Sequence, residues 1–241
     1  MNPLVLTSMA AASTSVGGCC AVLLQRRIHL LMAFGSGVLV GAASFDLLPA
    51  SASAAARSGY AAVLIFPLAA LGGLLVFAVA TAAARYSAHG AESRAAGRFS
   101  ASLLVLHSVT DGTAIFAAST ISLKLGLLVG LGVVAHDVCD GLNTILLSSC
   151  GRKTQWVDHG FLALDALAPI AGGLIAAHWF KVSPLFVMIV LSFAAGSFLF
   201  AAGFELFPGA WRRGPRNLLP WLTLAGFCLM FCLTRMLGLL G

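Results

Sequence analysis

The chain has 241 residues, of which 60% are hydrophobic and only 9% are charged, and its mean hydropathy is +0.99. This composition excludes a soluble globular domain and predicts a polytopic, all-α membrane protein. The formal net charge of +6 does not indicate a nucleic-acid partner, because most Lys and Arg residues lie in short connectors between apolar runs. The lipid bilayer is therefore the first predicted partner.

Eight apolar runs are each long enough, at about 20 residues, to cross about 30 Å of hydrocarbon as a helix. They are predicted to form one transmembrane domain over residues 1–241, with no soluble domain between them. The first run follows no basic residue and is longer than a signal-peptide core, so we expect it to remain as a true span. The predicted spans are residues 4–25, 28–50, 60–84, 100–121, 125–148, 160–180, 184–208 and 218–240.

Basic residues are distributed unequally between the connectors. Connectors after odd-numbered spans hold ten Lys and Arg residues, whereas those after even-numbered spans hold three. Because cytoplasmic connectors are enriched in basic residues, this bias predicts odd-numbered connectors in the cytoplasm and both termini outside. The short connectors, and six cysteines without a C-x-x-C pair, suit a plasma membrane, specifically a bacterial inner membrane.

Spans 2 and 7 have similar sequences. The segment "FGSGVLVGAASFDLLPA" at 34–50 resembles "FAAGSFLFAAGFELFPG" at 193–209, and Asp46 aligns with Glu205. Since the two spans run in opposite directions under the predicted topology, spans 1–3 and 6–8 are predicted to form an inverted repeat around spans 4 and 5. Such a 3+2+3 arrangement is typical of secondary transporters. Two interpretations of Asp46 and Glu205 stay open: they relay cations along a pathway, or they cap helix ends and pair with interfacial arginines.

Spans 4 and 5 contain the related hexapeptides "HSVTDG" at 107–112 and "HDVCDG" at 136–141. In each, a histidine and an aspartate lie four residues apart, so both side chains project from one helix face. Six of the eight carboxylates in the chain lie within apolar spans, where an unpaired ionised group is unfavourable by several kcal/mol. Imidazoles and carboxylates on facing helices form a nitrogen and oxygen cage that suits zinc, iron or manganese. The alternative is a polar patch in which each histidine is hydrogen-bonded to its aspartate.

The candidate ligands extend beyond the two His/Asp pairs. Ser108 and Asp137 directly follow the two histidines, and Asn143 continues the helix face of the second pair. With this many carboxylates, one ion and two ions that share bridging oxygens are both compatible with the sequence. Gly112 and Gly141 directly follow the aspartates and are predicted to let the helices approach closely.

These features together resemble the ZIP family of divalent metal transporters over essentially the whole chain: the two hexapeptides, the segments "GVLVGAASFDLLP" and "GSFLFAAGFELFP", eight spans, outward termini and a cytoplasmic third connector. The resemblance implies a site for one or two ions, with Ser108 and Asp137 at a secondary position. Its ligands would be His107, Asp111, His136 and Asp140. It also implies an elevator-like motion of spans 1, 4, 5 and 6 against spans 2, 3, 7 and 8, and a homodimer.

The hexapeptides depart from the family pattern, which is His-Asn-x-Pro-Glu-Gly in the fourth span and His-x-x-Pro-Glu-Gly in the fifth. Aspartates stand in place of the glutamates, and Ser108 replaces the asparagine. Thr110 and Cys139 replace the two prolines, so we expect straighter helices at the site.

Two further departures concern the sixth span and the third connector. The family commonly has a glutamate before a proline in span 6, whereas Ala168 precedes Pro169 here. Asp165 lies one turn earlier and is the predicted substitute ligand. Only His89 remains of a histidine-rich third connector.

The predicted function is a transporter, not an enzyme, that moves a divalent cation into the cytoplasm by alternating access. Zinc is the first candidate, followed by iron, manganese and cadmium, and the ion is cargo, so no catalytic cofactor is expected. One alternative is an integral-membrane zinc-dependent hydrolase, whose ion would keep an open coordination position. No His-Glu-x-x-His motif is present, however. The other alternative is a metal-free carrier of protons or organic ions.

Overall fold

The computed structural model describes residues 3–86, 92–121, 123–178 and 183–240. Helices make up 91% of the structure, and the described residues contain no β-strand. The eight long helices are α1 (Pro3–Leu23), α2 (Gln25–Ser58), α3 (Ile65–Tyr86), α4 (Glu92–Ile121), α5 (Leu123–Ser149), α6 (Trp156–His178), α7 (Pro184–Trp211) and α8 (Leu219–Leu240).

Helices of the described chain are apolar enough to make this a multi-pass membrane protein. Six of them, α1, α2, α4, α6, α7 and α8, contain a window that is long and apolar enough to cross a bilayer. The apolar helical segment Ala62–Ala78, which begins just before α3 and includes its first half, is shorter. Helix α5 is long but carries two aspartates, a histidine and an asparagine in its second half. The prediction of an all-helical, multi-pass membrane protein is therefore confirmed.

The observed helices differ from the predicted spans mainly at their ends. Helix α2 continues beyond residue 50 through an alanine-rich segment that favours helix, and it ends at Gly59, whose φ of 76° is left-handed. Helix α4 is longer than the predicted span 100–121, because its polar first turns from Glu92 onward are helical but lie outside the apolar run. Residues 179 and 180 of the predicted sixth span, and His89, lie outside the described residues.

Helices α2 and α7 each contain a short π-helical segment. The segment in α2 is Ala43–Leu47 and includes Asp46, and the segment in α7 is Ala201–Leu206 and includes Glu205. A π-helical turn accommodates one extra residue in a helix and is frequent at functional sites. The two segments occupy corresponding positions in the two similar sequences, and α2 and α7 pack against each other.

Close glycine contacts divide the helices into two groups. In each contact, a helical glycine faces a main-chain carbonyl of the neighbouring helix so closely that a Cβ atom would overlap its oxygen. In the first group (α1, α4, α5 and α6), the glycines and the residues they face are Gly17 and Val138, Gly141 and Thr14, Gly112 and Pro169, and Gly172 and Val109. In the second group (α2, α3, α7 and α8), they are Gly37 and Thr223, Gly226 and Phe34, Gly72 and Phe193, and Gly196 and Ala69.

Side chains, rather than main-chain groups, meet the described glycines at the junction of the two groups. Gly35 of α2 faces the amide oxygen of Asn143, and Gly151, just after α5, faces Met32 and Arg213. The Arg213 guanidinium, just after α7, donates to the carbonyl oxygens of Gly151 at 2.8 Å and Cys150 at 3.4 Å. It thereby caps the C-terminal end of α5, where exposed carbonyls attract a positive charge.

Candidate metal centre

The two His/Asp pairs lie on consecutive helices that pack against each other, α4 and α5. Both helices run without interruption through their hexapeptides, so each pair keeps its one-turn spacing. One ligand atom from each of four residues lies within 4.8 Å of all the others. The four residues are His107, Asp111, His136 and Asp140. His136 is half-buried and the other three are buried. The structure thus brings together the four ligands that the sequence predicted.

Asp111 lies between the two imidazoles. Its Oδ2 atom is 3.4 Å from Nε2 of His107 and 3.6 Å from Nε2 of His136. Oδ2 of Asp140 is 4.0 Å from the same His136 nitrogen. The two imidazole rings are nearly parallel, with centroids 6.0 Å apart, and Phe198 of α7 lies edge-on to His107 at 5.9 Å. The ring nitrogens and carboxylate oxygens therefore surround one small volume between α4 and α5.

Several of these ligand atoms have no hydrogen-bond partner among the described residues. Oδ2 of Asp111, Nε2 of His136 and Oδ2 of Asp140 are all buried and unpaired. The distances of 3.4 to 4.0 Å between histidine and aspartate atoms also exceed a usual hydrogen bond, so they do not favour a hydrogen-bonded polar patch. Burying unpaired polar atoms is unfavourable by about 1 to 3 kcal/mol each. A divalent cation would satisfy all of them at once.

The spacing of the four donor atoms is compatible with a single first-row ion. Zinc bonds to nitrogen and oxygen ligands at about 2.0 to 2.2 Å, which places neighbouring tetrahedral donors about 3.4 Å apart. The donors here lie between that separation and 4.8 Å. Two imidazoles and two carboxylates form a donor set without thiolate, which suits zinc, iron or manganese.

Asp137 borders the four ligands on the side of α1. Its carboxylate is fully buried, with Oδ1 3.7 Å from Nε2 of His136 and without a hydrogen-bond partner among the described residues. Its Oδ2 atom accepts a hydrogen bond from the Thr14 hydroxyl at 3.3 Å. One oxygen of Asp137 is therefore available to bind an ion at the site. That Asp137 is a secondary ligand stays a prediction.

Ser108 and Asp165 bond to each other beside the four ligands. The Ser108 hydroxyl donates to Oδ1 of Asp165 at 2.7 Å, and the Thr144 hydroxyl donates to Oδ2 at 2.7 Å. All three residues are fully buried. Sequence reasoning did not single out Thr144, although it lies one turn after Asp140 and so shares its helix face. Whether Ser108 and Asp165 bind an ion directly stays a prediction.

Asn143 lies on α5 beyond the second pair, packed toward α2. It is fully buried, and neither its Nδ2 nor its Oδ1 atom has a hydrogen-bond partner among the described residues. Gly35 leaves room for this amide, since a Cβ at that position would overlap Oδ1. An unpaired buried amide requires a physical explanation, and a cation or water on the inner side of the site would supply one.

A cavity of about 530 Å³ leads to the site from one side. Both histidines, Asp111 and Asp46 line it, and Oδ2 of Asp46 is 4.0 Å from Nε2 of His107. Further along α2, Ser53 and Arg57 line the wall, so the cavity extends toward the C-terminal end of α2. Most of the remaining wall is apolar. Asp46 therefore lines the cavity, as a pathway residue would, and it also lies directly beside the predicted ligand His107.

Glu205 lies in the π-helical segment of α7 and is not among the residues that line this cavity. Both of its carboxylate oxygens are buried and have no hydrogen-bond partner among the described residues. Asp46 and Glu205 therefore differ in surroundings despite their aligned positions, because Asp46 lines the cavity whereas Glu205 is half-buried outside it.

Comparison of the sequence with protein-family models and with curated proteins finds no match, so the chemistry of this site rests on its geometry.

Proposed function

We propose that this protein transports a divalent transition-metal cation, with zinc as the first candidate and iron, manganese or cadmium as others. The cation binds between α4 and α5 at His107, Asp111, His136 and Asp140. One observation carries the proposal: four buried or half-buried residues, each with a buried atom that lacks a hydrogen-bond partner, have donor atoms within 4.8 Å of one another at the end of a cavity. Release of the ion's water is offset by these ligands, which must be deprotonated to bind it.

The direction of transport is inferred to be inward, across a plasma membrane such as the bacterial inner membrane. The bias of basic residues favours a topology with both termini outside, and with the C-terminal ends of α2 and α4 outside as well. The cavity runs toward those ends. On the opposite side, Arg213 joins the connector after α7 to the end of α5. These contacts support an outward-facing state with its cytoplasmic side closed.

Alternating access is proposed to follow from an inverted repeat, in which α1–α3 correspond to α6–α8 and α4 corresponds to α5. Two observations support it. The π-helical segments of α2 and α7 occupy aligned positions. In addition, the contact of Gly17 (α1) with Val138 (α5) has an equivalent in the contact of Gly172 (α6) with Val109 (α4), as the repeat predicts if α1 corresponds to α6 and α5 to α4. An inverted repeat gives a protein two states of similar energy, one open to each side.

The moving parts are proposed to be the two glycine-linked groups. Their main-chain contacts are too close to allow sliding within a group, whereas side chains fill the glycine contacts at the junction. The first group, α1, α4, α5 and α6, holds all four ligands and would carry the ion. The resemblance to ZIP transporters implies the same division of the helices.

Uptake into liposomes tests the proposal. We expect the purified, reconstituted protein to give saturable zinc entry, reported by an indicator enclosed in the vesicles. Iron(II), manganese and cadmium should compete, whereas magnesium and calcium should not, because they prefer all-oxygen ligands. Zinc binding without entry would indicate the hydrolase alternative. Absence of zinc from the site in anomalous scattering would indicate a metal-free carrier, and either result would contradict the proposal.

The topology can be checked separately with impermeant thiol reagents. The six native cysteines would compete for the thiol reagent, so the background variant replaces each of them with serine. We expect a cysteine placed near Arg94, at the start of α4, to be unreachable from outside intact cells. A cysteine in place of Ser53, on the cavity wall, should react. Labelling near Arg94 in intact cells would reverse the assigned orientation.

A further inference from the structure

Asp165 lies beside the candidate metal centre without being one of its four grouped donors. Its two carboxylate oxygens accept hydrogen bonds from Ser108 on α4 and from Thr144 on α5, both at 2.7 Å. Ser108 directly follows His107, and Thr144 lies one turn after Asp140. A single carboxylate of α6 therefore joins the two ligand-bearing helices at the depth of the site.

The hydrogen bonding of Asp165 differs from that of the four donors. Buried atoms of Asp111, His136 and Asp140 have no partner among the described residues, whereas both oxygens of Asp165 have one. An unpaired buried atom gains the most from an incoming cation, and an atom that already accepts a short hydrogen bond gains less. This difference indicates that the unpaired atoms of the four donors are available to bind a ligand, whereas the oxygens of Asp165 form structural hydrogen bonds.

Helix α6 is a rigid base for such a role. Gly112 of α4 faces the carbonyl of Pro169, and Gly172 of α6 faces that of Val109, so α4 and α6 are in direct main-chain contact on both sides. The bond to Thr144 then extends from this fixed pair to α5. Asp165 therefore restrains the distance between α5 and the α4–α6 pair at the level of the ligands.

We propose that Asp165 is a positioning residue that sets the separation of the two His/Asp pairs through the Ser108 and Thr144 hydroxyls. The proposal rests on the proposed function, because it concerns the same metal site. Removing a residue that orients metal ligands from outside the coordination sphere lowers metal affinity by about 10-fold to 100-fold. Asp165 acts in this way on two helices at once.

Two substitutions of Asp165 distinguish positioning from direct ligation. Asp165→Asn and Asp165→Ala both remove the charge, but only asparagine retains a polar group that can bond to both hydroxyls. By calorimetry of the detergent-purified protein with zinc, we expect Asp165→Asn to stay within about 3-fold of the unmodified affinity. We expect Asp165→Ala to bind about 10-fold to 100-fold more weakly. A ligand or a required charge at this position predicts equal losses in both variants, which would overturn the proposal.

A second pair of variants tests the same bond from the other side, and it decides the matter should Asp165→Ala fail to fold. Thr144→Ser keeps the hydroxyl, and Thr144→Val keeps the shape without it. We expect Thr144→Ser to bind zinc like the unmodified protein and Thr144→Val to bind it at least about 10-fold more weakly. Equal affinity in both overturns the positioning role. Absence of zinc binding by the unmodified protein overturns the proposed function itself, and this proposal with it.

Discussion

We expect Asp111→Ala to reduce zinc uptake in proteoliposomes by about 100-fold or more, since even residues outside the coordination sphere contribute 10-fold to 100-fold. Asp111 has the central position of the site, because its Oδ2 atom lies within 3.6 Å of both imidazoles. Alanine removes the donor that faces both histidines and leaves three ligands. We expect the same loss for His107→Ala. Initial rates of zinc entry at several zinc concentrations provide the measurement.

A matched control for this experiment lies in the same cavity. Ser53 lines the wall, but its hydroxyl bonds to the carbonyl of Pro49 in its own helix. We expect Ser53→Ala to transport zinc at the unmodified rate. All three variants should insert into the membrane and elute as single species, since none of them removes an apolar side chain and alanine favours helix. Normal uptake kinetics for Asp111→Ala would remove the central ligand from the assignment.

Gly141→Ala should have the largest effect on stability. A methyl group at residue 141 would overlap the carbonyl of Thr14, so α1 and α5 would have to separate. Overpacking of this kind destabilises a fold by about 1 to 3 kcal/mol, and main-chain atoms cannot move aside as a side chain can. Because Gly141 follows Asp140, the same separation should also weaken zinc binding. Thermal unfolding in detergent, with and without zinc, measures both effects.

Gly160→Ala is the matched control for that substitution. Gly160 is a helical glycine of α6, and an added Cβ there would meet no atom within 4 Å. We expect its melting temperature to be unchanged or slightly raised, because alanine favours helix over glycine by about 1 kcal/mol. If Gly141→Ala has the same melting temperature as Gly160→Ala, the contact between α1 and α5 is looser than the structure describes.

Hydrophobic run length predicted the fold class and the approximate position of all eight helices, because spanning a bilayer imposes a strong length requirement. Helix ends were less predictable. The alanine-rich extension of α2 to Ser58 has little hydropathy but a strong helical preference, so a count of apolar residues stops too early. The π-helical segments carry no local sequence signature, and their positions could not be derived from periodicity.

The grouping of the four candidate ligands was predictable because i, i+4 spacing fixes two side chains on one helix face, and two such pairs on adjacent helices meet when those faces point toward each other. Contacts between distant helices were not predictable in this way. The position of Asp46 beside His107 depends on how the helices place α2 relative to α4. The bond from Thr144 to Asp165 depends on the packing of α5 against α6, and neither distance follows from spacing along one helix.

The π-helical segment of α2 determines how the chain tolerates a change in length. Each residue of an α-helix advances the helix by about 100°, and a π-helical turn absorbs one residue beyond the regular count. Deleting one residue within Ala43–Leu47 would therefore restore regular α-helical hydrogen bonding and leave Ser53 and Arg57 on the same side of the helix relative to Gly37. The C-terminal half of α2 would then keep the face that it presents to its neighbours. A deletion elsewhere in α2, where no π-helical turn absorbs the change, would instead turn that half of the helix by about 100°.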